Sequence, residues 1–195
     1  KELDRMDAAI KTDAEDLAKR QQAHEQSMAM KAKALEDFAA DCYNHFEICK
    51  LRHDNDSAAY WIELRACQDS TNVDWQLQAG SFIDDYIADY HKALRYYQRA
   101  LHSAMVQEGE KGENVATSYN NIGSVYSSQG DYPKALEMYQ KALAILLDVL
   151  GANHPDVATS YSNMGVVYRS QGNYPKALEM YQKALAILLD VLGAN

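Results

Sequence analysis

From Val115 onward the chain writes one 42-residue unit twice, and no other feature restricts its fold as strongly. Val115-Ala116-Thr117-Ser118-Tyr119 returns as Val157-Ala158-Thr159-Ser160-Tyr161. Asp131-Tyr132-Pro133-Lys134-Ala135-Leu136 returns as Asn173-Tyr174-Pro175-Lys176-Ala177-Leu178, at the same offset of 42 residues from Tyr119 to Tyr161. That period falls in the roughly 20 to 50 residue range of solenoid repeats. A unit so short cannot bury its apolar side alone and must stack on a neighbour.

Each unit reads as two helices. The first sets Val115, Tyr119, Ile122, Gly123 and Tyr126 on one face, and the second sets Ala135, Leu136, Tyr139, Ala142, Leu143, Leu146 and Leu150 on one face. Gly130 ends the first helix and Asp131 is placed to cap the second. Pro133 is tolerated because first-turn amides have no helical partner. The pattern extends backwards with decay. Tyr90 to Leu101 precedes Tyr132 to Leu143 by the same 42 residues, and a helix is expected from about Val73 to Ala88. Turn and cap residues stand at Asp54-Asn55-Asp56-Ser57 and Asp69-Ser70-Thr71-Asn72.

Residues 1 to 51 hold no Pro or Gly and are rich in helix formers, so they read as one long helix. A 3-4 seam runs through Ile10, Ala14, Leu17, Gln21, His24, Met28, Lys31, Leu35, Phe38, Cys42, His45 and Cys49. Its polar members make it a weak coiled coil. Cys42, His45, Cys49 and His53 share a face, but at about 1.5 Å per residue the outer two stand roughly 16 Å apart, too far for one zinc ion. No metal site is expected. The organisation is therefore a long N-terminal helix over 1–51, degenerate hairpins over 52–112, and two near-identical units over 113–195.

The run Asn121-Ile122-Gly123, Tyr126, Gly130-Asp131-Tyr132, Ala135-Leu136, Tyr139 and Ala142-Leu143, repeated over Asn163 to Leu185, resembles the tetratricopeptide repeat (TPR). The 42-residue period, with Leu150-Gly151-Ala152-Asn153-His154-Pro155 between hairpins, is similar to the kinesin light chain variant. The resemblance implies an all-α fold, a right-handed superhelical array of antiparallel helix hairpins preceded here by the long helix. It also implies a concave groove, lined by first helices, that binds a peptide or a partner helix, and no catalytic role or cofactor.

Comparison of the two units adds a site. Between residues 115–153 and 157–195 only Asn120/Ser162, Ile122/Met164, Ser124/Val166, Ser127/Arg169 and Asp131/Asn173 differ. The changes at 120, 124 and 127 follow i, i+4, i+7 spacing and share a stripe of the first helix. Thr117, Asn121 and Ser128 lie beside that stripe, which is rich in mediocre helix formers. A face needing only solvation more often carries Glu and Lys, as Lys134, Glu137 and Lys141 do. The expected recognition strip is Thr117, Asn120, Asn121, Ser124, Ser127 and Ser128 with Thr159, Ser162, Asn163, Val166, Arg169 and Ser170. By the family resemblance these positions face inward, and Asn121 and Asn163 match the asparagine that holds a bound peptide's backbone.

The sequence holds no H-E-x-x-H, G-x-S-x-G, phosphate-binding glycine loop or dinucleotide fingerprint, so no enzyme is expected. A net charge of -9 argues against nucleic acid and anionic membranes and favours a basic protein or peptide partner. No run is long and apolar enough for membrane insertion. Three cysteines with no C-x-x-C pair read as reduced thiols, consistent with a cytoplasmic setting. The sequence expectation is a non-catalytic interaction scaffold on a fragment of a longer chain. The alternatives are a self-assembling module, joined through an uncapped C-terminal hairpin or the N-terminal helix, and the sensor arm of a larger signalling or effector protein.

Overall fold

The computed structural model describes residues 2–193, with side chains from Ala18 onward except Leu192. Ile10, Ala14 and Leu17 of the seam, and Leu192, therefore lie outside the described side chains. Among the described residues there are eight α-helices, one π-helical turn and no strand. The helices are α1 (Glu2–Leu51), α2 (Asn55–Gln68), α3 (Val73–Phe82), α4 (Tyr90–Glu108), α5 (Glu113–Ser128), α6 (Tyr132–Val149), α7 (Pro155–Ser170) and α8 (Tyr174–Gly193). The π turn, Ile83–Ile87, prolongs α3.

Antiparallel partners are α1 with α2, α3 with α4, α5 with α6 and α7 with α8. Caps fix the boundaries. Asp54, Asn72, Asp89 and Asp131 each accept a bond from the backbone N–H three residues on, at Ser57, Trp75, Lys92 and Lys134. Gly130 and Gly172 leave α5 and α7 with φ of 78° and 75°, the left-handed conformation that glycine adopts without a Cβ penalty.

Each repeat closes on a glycine–tyrosine contact. A Cβ on Gly123 would stand 2.8 Å from the Tyr139 ring, and one on Gly165 2.7 Å from the Tyr181 ring, so only glycine lets the paired helices approach this closely. Gly80 and Tyr97 repeat the contact in the α3–α4 hairpin, where a Cβ would stand 2.7 Å from the ring. Gly80 to Tyr97 spans 17 residues, whereas Gly123 to Tyr139 spans 16. The π turn between them absorbs the extra residue by widening one helical turn. The 42-residue offset therefore holds for α4 against α6. On α3, up to the π turn, structural equivalence runs at 43, Gly80 with Gly123.

Among the described side chains of α1, the buried ones lie in its last part. Ala39, Cys42 and Phe46 are buried, whereas residues 18–38 are all exposed, with Met28 and Met30 facing solvent. Arg65 of α2 locks α1 to α3. Its guanidinium stacks 4.5 Å from the Tyr43 ring and 4.8 Å from the Trp75 ring.

Candidate functional site: a groove along the first helices

The first helices α1, α3, α5 and α7 leave two clefts along the array. The larger, about 440 Å³, lies between the end of α1 and α3 with its π turn, and α5 borders it through Asn121. Its wall is an aromatic series. Tyr43 lies 5.8 Å from Phe46, Phe46 meets Phe82 edge-on at 5.0 Å, and Phe82 stacks on Tyr86 at 4.8 Å. Glu47, Lys50 and Asp85 stand at its rim, where Lys50 Nζ lies 3.7 Å from Glu47, and Ser81 donates to Asp85 at 3.2 Å. The smaller cleft, about 190 Å³, lies between α5 and α7 and is lined by Thr117, Asn120, Asn121, Thr159, Asn163 and Asp156, with Leu146 of α6. Asn121 borders both, so the two clefts meet at one side chain.

Five of the twelve strip residues thus share one cleft: Thr117, Asn120, Asn121, Thr159 and Asn163. They do not have equal freedom. Asn120 is a joint between units: its Nδ2 donates to the buried Ser160 hydroxyl at 3.2 Å, and Ser160 Oγ lies 3.2 Å from Asn120 Oδ1. Thr117 and Thr159 return their hydroxyl protons to Glu113 and Pro155 carbonyls of their own helices, at 3.0 and 3.1 Å. Asn121 and Asn163 are half-buried and, among the described residues, no side-chain bond occupies either amide. Ser124, Ser127 and Ser162 are half-buried, and Ser128, Val166, Arg169 and Ser170 are exposed. None of these seven lines either cleft.

Ser124 faces its own hairpin. Burial pushes the Tyr139 phenol up to about 12, and the Ser124 hydroxyl beside it opposes that shift. Tyr97 is raised in the same way, first by burial and then by Asp84 and Asp85, with Ser81 opposing. Ser81 to Ser124 is again a 43-residue step, which puts Gln78 in the place of Asn121 and Asn163. An exposed Gln78 on α3, Asn121 on α5 and Asn163 on α7 therefore form a row of primary amides along successive first helices. Gln78 accepts a bond from Arg65 Nη1 at 2.6 Å, which leaves its own amide N–H groups available.

The sequence reading missed Gln78 and the aromatic wall. Tyr43 and Phe46 come from α1, ahead of any visible repeat, and the one-residue slip hides Gln78 behind Asn120 in a 42-residue alignment. The 17-against-16 spacing from glycine to tyrosine was the signal that could have found it. Among the described residues no group of three His, Cys, Asp or Glu converges as metal ligands would. Cys42 is buried and its thiol is raised chiefly by burial.

The sequence profile of the tetratricopeptide repeat matches residues 87–148 and 140–190. The chain belongs to the tetratricopeptide-repeat family. It is similar in structure to BtubC (BKLC) from P. vanneervenii, with TM-score 0.65, 25% identity, and coverage of 76% of this chain and 62% of that one. This chain thus spans less than two thirds of that neighbour's length. MamA matches with TM-score 0.59 and 21% identity over 80% of this chain and 81% of that chain. A Podosopora anserina protein assigned as a kinesin light chain, with nearly identical TPR-like repeats, matches with TM-score 0.65 and 14% identity over 78% of this chain and 76% of that chain. These last two likenesses concern the fold. No curated protein matches the sequence. The fold is thus an all-α TPR solenoid, of a family that generally serves as a non-catalytic protein-interaction scaffold. No helix of the described residues is long and apolar enough to cross a membrane.

Proposed function

We propose that the protein captures an extended peptide segment of a partner protein along the first-helix groove. The amide row Gln78, Asn121 and Asn163 carries the reading. A primary amide donates and accepts together, as one residue of extended backbone requires. Three such groups on successive first helices make a set of clamps whose strength does not depend on the peptide's side chains. Side-chain preference then falls to the aromatic wall at the α1–α3 end, where a bulky apolar group fits between Tyr43, Phe46 and Tyr86. The acidic Glu47 and Asp85 at the rim, together with the net charge of -9, favour a peptide with basic residues flanking that group.

Selection of binding peptides from a random displayed library, followed by titration of a selected peptide, tests the reading. Asn121→Ala combined with Asn163→Ala should weaken that peptide at least tenfold while the thermal midpoint stays within a few degrees. Undiminished binding by the double variant would remove the groove from consideration.

A second reading, self-assembly, rests on the outer face of α8. Residues Tyr174 to Val191 repeat Tyr132 to Val149 letter for letter. Where α6 packs Tyr132, Leu136 and Leu143 with Tyr161, Met164 and Tyr168 of α7, the equivalent Tyr174, Leu178 and Leu185 are 68%, 58% and 56% exposed. A molecular mass that rises with concentration would favour assembly, and a constant monomer mass would exclude it.

A further inference from the structure

A larger cleft lies away from the groove, among the second helices. About 670 Å³ in volume, it is walled by Cys67, Ser70 and Thr71 at the end of α2 and by Arg95, Arg99 and His102 on α4. The repeats supply an internal control for these residues. At the positions of Arg95 and Arg99, α6 carries Glu137 and Lys141, and α8 carries Glu179 and Lys183. There the carboxylate four residues ahead neutralises the cation, with Nζ to Oε1 distances of 2.8 and 2.7 Å. In α4 the carboxylate is replaced by a second arginine, and the Ala144 and Ala186 position by His102.

Two like charges at i, i+4 repel, so the exchange destabilises the isolated helix where the Glu–Lys pair of the later repeats stabilises it. No carboxylate lines the cleft to compensate for it. Neither Arg95 nor Arg99 forms an ion pair among the described residues. The nearby carboxylates are engaged: Glu63 with Lys92 at 3.0 Å and the Tyr96 hydroxyl at 3.2 Å, and Asp69 with the N–H and hydroxyl of Thr71 at 2.8 and 2.6 Å. The Arg99 guanidinium rests 5.8 Å over the Tyr96 ring, which supports its stem from below. The opposite wall, Cys67, Ser70 and Thr71, presents no carboxylate of its own to the cleft. In a chain of net charge -9, this is a cationic cleft flanked by hydrogen-bond donors.

We propose that the α2–α4 cleft is a binding site for a phosphate group. Planar guanidinium groups from Arg95 and Arg99 match the tetrahedral oxyanion with paired N–H donors. His102 adds a third donor, and Ser70 stands on the far wall beside Thr71, whose hydroxyl proton is already held by Asp69. The site is separate from the groove and selects chemistry of opposite sign.

Cys67, exposed on the rim of the cleft, reports occupancy. The full chain is treated with iodoacetamide while inorganic pyrophosphate, inorganic phosphate, a phosphoserine peptide or sodium chloride of matched ionic strength is titrated, and modification at Cys67 is read by peptide mass. Pyrophosphate should slow alkylation of Cys67 at least fivefold with a saturating profile, and sodium chloride should not. Protection by the phosphoserine peptide at tenfold lower concentration than by inorganic phosphate would identify a phosphorylated protein as the source; equal concentrations would identify the free anion. The decisive variant is Arg95→Glu, which restores the Glu–cation pair that both later repeats already tolerate and so preserves the fold. It should abolish protection. Absence of protection in the parent chain, or equal protection in Arg95→Glu, would overturn the site.

Discussion

Ala88 holds a backbone conformation that the later repeats give to glycine. Its φ of 57° matches the 78° and 75° of Gly130 and Gly172, the residues at the same step of the next two hairpins. A Cβ in the left-handed region costs roughly 1 kcal/mol, and here it is accepted to make the same reversal after the π turn. Ala88→Gly should therefore stabilise the protein by about 0.5 to 1 kcal/mol, a rise of about 1 to 4 °C in thermal midpoint; a lower midpoint would contradict the account. The caps were legible at this scale because Asp and Asn announce them in any sequence. The division of labour between Asn120 and Asn121 was not. Both are asparagines on one helix, and only the stacking of α7, which brings Ser160 against Asn120, separates the joint from the open amide.

Among the elements, the π turn is where sequence reading and structure part. Its widened turn places Asp84 against the Tyr97 end of the hairpin, and burial, followed by the neighbouring Asp85, raises the Asp84 carboxyl to about 6. The unfolded chain holds an aspartate near 3.9. Between those values the folded state binds more protons than the unfolded state. Asp84 therefore favours folding most at low pH, and stability falls as pH rises through 4 to 6. Asp84→Asn should remove that slope and raise stability at pH 7.5 by on the order of 1 kcal/mol or less, since the site is half open to solvent. Denaturant melts of parent and variant at pH 5 and 7.5 check this; parallel pH responses would show that Asp84 is not the group responsible. The letters predicted a helix from about Val73 to Ala88 and the structure has one. A single inserted residue, though, leaves the hydrophobic pattern of so short a segment readable in either register. Only contact with Tyr97 fixes which register is used.

Across the whole molecule, repeated sequence meets unequal surroundings. Residues 132–149 and 174–191 have the same letters, so intrinsic helix propensity and intrinsic exchange rates match and only burial differs. Stability in a stacked array is shared between each unit and its neighbours, and α6 has a neighbour on both sides in this structure. Amides of α6 should therefore exchange at least tenfold more slowly than those of α8, measured residue by residue under native conditions. Equal protection would mean that the outer face of α8 is covered in solution. The array itself was legible because near-identical units leave no other way to bury their apolar faces. The aromatic half of the groove was hidden for the opposite reason, since α1 contributes Tyr43 and Phe46 from outside any repeat.

The exposed stretch of α1 from Ala18 to Phe38 is 21 residues of continuous helix, about 30 Å at 1.5 Å per residue. None of its side chains is buried over that length, whereas Phe46 and Cys42 are buried at its base and Arg65 stacks on Tyr43 there. A helix of that length with an anchored base is a stiff strut, which keeps the exposed Met28 and Met30 at a set distance and bearing from the hairpins rather than on a loose tether.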